Sequence, residues 1–96
     1  MQPELERELI CKVKTGDARF YEPIVRAYEP SGLRLAVAMM GNMEDAQDAL
    51  QEAFVKTFRS LHRFDLRRPF GPWFFQILRN QCKDMLRSRQ ARFKVE

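Results

Sequence analysis

Residues 43–61 carry the feature that most constrains this chain. Met43, Ala46, Ala49, Leu50, Ala53, Phe54, Thr57, Phe58 and Leu61 advance by threes and fours as one continuous stripe. That period is helical, and it predicts an amphipathic helix over about 43–60. With only four Gly and five Pro in 96 residues, the chain has few of the turns a β-sandwich requires. A helical fold is the expectation.

The flanking segments read the same way. Pro3 suits a first helical turn, and Leu5, Leu9 and Val13 follow at spacings of four, giving a helix over about 4–14. Thr15-Gly16-Asp17 reads as a stop followed by an N-cap. A second helix from about Ala18 carries Phe20, Ile24, Tyr28, Leu35 and Met39. Pro30 followed by Ser31-Gly32 predicts a kink or short break in it. Gly41-Asn42 ends this helix and caps the next. From His62 to Gly71 the periodicity fails, and Asp65, Arg67, Arg68 and Pro69 mark a loop. A last helix begins at about 70–72 and runs towards Arg89 or beyond, with Phe74, Ile77, Leu78, Gln81, Cys82 and Met85 as its inner stripe. Residues 89–96 are expected to fray. The expectation is a single all-α domain over 1–96, a compact bundle of three principal helices plus a short N-terminal helix.

Several function classes are excluded. No run of eighteen apolar residues exists, so no membrane span is expected. The acidic start, Met1 to Glu8, is unlike a signal peptide. Cys11, Cys82 and the single His62 cannot build a Cys/His zinc site or a disulfide framework. Two reduced thiols in a cytoplasmic protein is the reading. Neither Cys has an evident His partner, so the chain is not expected to be an enzyme, and no metal or cofactor is expected. A domain this small offers little room for a deep cleft, which places function on a surface.

The charge is divided along the chain. Residues 1–58 hold seven Lys/Arg and ten Asp/Glu, whereas residues 59–96 hold ten Lys/Arg and three acidic groups. A basic C-terminal part suggests an anionic partner, nucleic acid first among candidates. Two faces exceed what a core explains. Asp45, Asp48 and Glu52 fall on one side of the third helix, flanked by Glu44 and interleaved with Gln47 and Gln51. Acidic groups near a helix N-terminus oppose the dipole favourably, by about 0.3–1 kcal/mol each. A row reaching the third turn goes further, and suits a basic partner. On the last helix, Trp73, Gln76, Arg79, Asn80, Lys83 and Arg87 turn away from the core stripe, and the loop adds Phe64, Arg67, Arg68 and Phe70. Cations for phosphates, rings for stacking and amides for base edges suit single-stranded nucleic acid. Phe75 reads as packing; for Trp73, packing and stacking stay open.

Asp45-Ala46-Gln47-Asp48, Gln51-Glu52-Ala53-Phe54, Trp73-Phe74 and Arg79-Asn80 with Asp84 and Arg87 together resemble region 2 of the sigma-70 family. The closest likeness is to the extracytoplasmic-function (group IV) sigma factors of bacterial RNA polymerase, over about residues 15–90. The resemblance implies promoter recognition and melting. Asp45, Asp48, Gln51 and Glu52 would dock on the β′ clamp helices of core RNA polymerase. Phe64, Arg67, Arg68, Trp73, Gln76, Asn80 and Lys83 would engage the non-template strand of the minus-ten element, a flipped base entering a pocket made by the loop. An anti-sigma factor is implied as a further partner. Gln47 stands where the family has a second acidic residue, so one polar contact to polymerase is expected to be weaker. Phe74 replaces the usual Leu, and Gly71-Pro72 stiffens the start of the last helix. Region 4, which follows in the family, has no counterpart here, so region 2 alone is expected. The alternative is a helical duplex-DNA-binding transcription regulator, against which stands a loop far longer than a helix-turn-helix turn.

Overall fold

Four helices follow one another without a strand among the described residues: α1 (Pro3–Lys14), α2 (Tyr21–Met40), α3 (Met43–Ser60) and α4 (Phe70–Val95). The computed structural model describes residues 1–95, with side chains through Arg92. Pro3 opens α1, Glu4 and Glu6 lie in its first turn, and Lys12 and Lys14 in its last, all complementing the helix dipole. Gly16 takes φ +111°, and Asp17 then accepts from the Arg19 N–H at 3.2 Å to start a short 3₁₀ turn, Ala18–Phe20. The predicted second helix therefore begins as 3₁₀ and becomes α at Tyr21.

Of the kink or short break expected at Pro30, the break does not occur: α2 runs unbroken through Pro30, whose side chain is exposed. Gly32 has a different role from the one predicted. It is buried, and a Cβ there would lie 2.7 Å from Leu50 Cδ1 and 3.6 Å from Leu78 and Phe74. The missing side chain lets α2 press against α3 and α4. Gly41, at φ +83°, ends α2 with its N–H on Val37 O at 2.9 Å. Asn42 Oδ1 accepts from the Asp45 N–H at 2.8 Å and caps α3, as the sequence predicts.

α2 packs chiefly on α3, α3 on α4, and α1 lies across α2 and the loop side. Phe70, Phe74, Ile10, Ile24, Leu78, Thr57 and Cys82 are fully buried. Phe54 and Phe74 stack with centroids 4.8 Å apart. Tyr21 donates to Phe54 O at 2.5 Å, and Lys56 donates to the Gln81 side chain, tying α3 to α2 and α4. Two members of the predicted α3 stripe leave the core, Met43 at 51% exposure and Phe58 at 42%. Where fraying was expected from Arg89, α4 continues to Val95 and Arg89 pairs with Asp45 across the bundle, while Glu96 lies outside the described residues. That α4 extension sets the long axis of a molecule 49 × 23 × 22 Å. Among the described residues no helix is long and apolar enough to cross a membrane.

Candidate nucleic-acid and protein interfaces

The acidic row of α3 divides into two parts. Asp45 is half-buried and already engaged: its carboxylate accepts from Asn42 Nδ2 at 2.9 Å and from the Arg89 guanidinium. Asp48, Gln51 and Glu52 are exposed and take no hydrogen bond from another described side chain. Beside them lies a surface that periodicity alone conceals. An open groove of about 890 Å³ runs between α2 and α3, lined by Tyr21, Val25, Leu33, Leu50, Phe54 and Phe58, with Gln47 and Gln51 along its rim. Val55 is 38% exposed there, and Phe58 rests on Tyr21 at 5.1 Å. The signal for this groove in the sequence was Val55, an apolar side chain off the stripe.

α4 presents a second, polar face. Gln76, Asn80 and Lys83 are exposed, and Trp73 is half-buried one turn before them. Gln76 Nε2 donates to Asn80 Oδ1 at 3.1 Å, which aligns the two amides along the helix. Trp73 satisfies packing and exposure together: its ring lies 4.6 Å from Phe64 and 5.9 Å from Phe70, while part of it meets solvent. Phe64 and Phe70 are 4% and 2% exposed, so both serve as support for Trp73 and as the base of the adjoining cleft. Phe75 packs on Tyr28 and Phe74, as predicted.

The loop is held from within. After a 3₁₀ turn, Leu61–Arg63, the Asp65 carboxylate accepts from the Arg67 N–H at 2.9 Å and pairs with the Arg67 guanidinium at 2.9 Å. These bonds favour the charged carboxylate and hold it at about 2, below the usual range. Arg68 donates its N–H to Asp65 O at 3.0 Å, turning the chain so that Arg67 and Arg68 both face solvent. Lys14, at the end of α1, donates to Phe64 O and fixes the start of the loop. At its far end, a Cβ on Gly71 would meet the Tyr28 hydroxyl at 3.2 Å. A cleft of about 390 Å³ opens between α1 and this loop, with Arg67 and Arg68 on its rim. The Trp73–Lys83 face and the Arg67–Arg68 loop thus adjoin, whereas Asp48, Gln51 and Glu52 belong to a separate helix.

An acidic helix, an adjoining loop and a polar aromatic helix follow one another along the chain. The Sigma-70 region 2 family model matches residues 24–92, and the chain belongs to that family. It is 30% identical over 90 residues to the ECF RNA polymerase sigma factor SigW of Bacillus subtilis, covering 94% of this chain and 48% of the relative. It is 34% identical over 89 residues to the RNA polymerase sigma-H factor of Pseudomonas aeruginosa, covering 93% and 46%. The chain therefore spans about half the length of these curated relatives. Among solved structures, an engineered region 2 of sigmaE in complex with GTAAAA aligns with a TM-score of 0.86 at 28% identity, covering 96% of this chain and 93% of that one. CnrH in complex with the cytosolic domain of CnrY aligns at 0.76 with 27% identity, covering 90% and 60%.

Proposed function

We propose that this domain joins core RNA polymerase to promoter DNA and captures the melted minus-ten element during transcription initiation. The carrying observation is the polar face of α4, with Trp73, Gln76, Asn80 and Lys83, directly following the exposed Arg67 and Arg68 of the loop. It offers cations for a phosphate chain, a supported ring for stacking and amides for base edges. Unpairing and unstacking a strand cost a few kcal/mol, offset by contacts that only the single strand can make. The binding of GTAAAA by the engineered sigmaE region supports this reading. The strand is the non-template one. No bond is made or broken by this domain, and the polymerase supplies the chemistry.

Asp48, Gln51 and Glu52 carry the contact to the β′ clamp helices, with Asp45 at the margin because Arg89 already engages it. The apolar groove beside them extends the same protein-binding surface. An anti-sigma factor is a further partner, a reading supported by a structural relative solved with another protein's cytosolic domain. All of this takes place in the cytoplasm, where the polymerase works.

Two substitutions test the division of labour. Asp48→Arg is expected to abolish co-elution with core RNA polymerase in gel filtration while the far-UV helical signal is unchanged. Undiminished co-elution would remove the α3 assignment. Asn80→Ala is expected to weaken binding of a single-stranded minus-ten oligonucleotide about tenfold, the loss of one or two base-edge hydrogen bonds, with polymerase affinity unaltered. A preference for duplex over single-stranded DNA would favour the duplex-binding regulator instead.

A further inference from the structure

The cleft between α1 and the loop holds one group that backbone binding does not call for. Its rim carries the guanidinium groups of Arg7, Arg67 and Arg68, and its volume of about 390 Å³ is ample for one nucleobase. Arg7 and Arg68 have no ion-pair partner among the described residues. Within this cationic rim stands the carboxylate of Glu6. It accepts a hydrogen bond through Oε1 from the Tyr28 hydroxyl, and Oε2 has no partner among the described residues. Tyr28 is itself fixed by the rings of Phe70 at 5.3 Å and Phe74 at 5.6 Å. The other end of α1 is fixed by Lys14 on Phe64 O. Glu6 is therefore a pinned acceptor lining a nucleotide-sized space, with one oxygen left without a partner among the described residues. A carboxylate opposes phosphate, so its use there is with a base edge. The family match begins at residue 24, so α1 lies outside it.

We propose that α1 forms the second wall of this cleft and that Glu6 reads a base there through its free carboxylate oxygen, selecting adenine or cytosine over thymine. The inference rests on the strand-capture reading above. Adenine and cytosine present an exocyclic amine that donates to a carboxylate. Thymine presents a carbonyl oxygen in the equivalent place, which the carboxylate repels.

The test uses the 96-residue chain and single-stranded GTAAAA, with each adenine replaced in turn by purine, which lacks only the amine. Affinities are read by anisotropy at low salt. At one position, removing the amine is expected to weaken binding to the wild-type chain about tenfold. The same removal is expected to change binding to Glu6→Met by less than about twofold, because the thioether leaves no strong acceptor for the amine. Glu6→Leu repeats the comparison if Glu6→Met melts early. Equal sensitivity of wild type and variants at every position would overturn the role of Glu6 and leave strand capture standing. No binding of any oligonucleotide by the wild-type chain would overturn the strand-capture reading itself.

Discussion

At the scale of single residues, burial rather than charge sets the unusual chemistry of this domain. Tyr21 and Tyr28 are its two tyrosines, and desolvation pushes both phenols well above their ordinary value, with the neighbouring Glu6 carboxylate adding to the effect at Tyr28. A phenol raised in the fold contributes stability that is complete below its unfolded value of about 10 and is lost as pH rises past it. The folded domain is accordingly expected to show little tyrosinate absorbance at pH about 10, where the denatured chain is half ionised. Half-ionised tyrosine in the folded domain at that pH would mean that neither ring is held as described. Asp65 works in the opposite direction. Its carboxyl lies at about 2, so the order it lends the loop is present above its ordinary range and is lost only as pH falls towards that value. Both tyrosines were visible as residues on the second helix, but nothing in the spacing disclosed that their hydroxyls reach Phe54 O and Glu6.

At the scale of elements, Gly32 shows how a helix is judged by its neighbours. In isolation, a Pro followed two residues later by Gly weakens a helix, and the expected break at Pro30 followed from that. In the bundle, Gly32 is where Leu50, Leu78 and Phe74 converge, and the helix persists because packing outweighs propensity. Gly32→Ala is expected to leave stability within about 1 kcal/mol: helix propensity improves by about that much, and the Leu50 methyl it meets borders the open α2–α3 groove. Gly32→Val is expected to cost about 1–3 kcal/mol by overpacking. Denaturant melts of the two variants decide the matter, and equal stability for both would show that the helices are not in close contact there. The ends of α3 and the Gly41-Asn42 turn were legible because capping is local chemistry. The anchoring of Arg89 was not, because its partner is a carboxylate 44 residues earlier in the chain.

At the scale of the whole molecule, the division of charge along the sequence becomes a division of surface. The acidic residues of α3 that stay exposed belong to a different helix from the basic loop and α4, so one domain carries two candidate faces of opposite sign. Affinity for a single strand is expected to fall with salt, and Arg68→Gln to reduce the slope of log K against log salt by about 0.7, the share of one phosphate contact. An unchanged slope would place Arg68 away from the backbone. The order of helices, the caps and the two candidate faces could be read from the amino-acid sequence, because each depends on residues within a few positions of one another. The inner stripes could be read only in part, since α2 buries Gly32, Ala36 and Met40 rather than Leu35 and Met39, and Leu5, Met43 and Phe58 are exposed. Tertiary structure alone decided that Phe58 and Val55 line an open groove, that Phe64 supports Trp73 from beneath, that Asp45 is taken by Arg89, and that Glu6 stands in the cleft beside the loop. These depend on where separate helices meet, and the period of one helix carries no information about the surface of another.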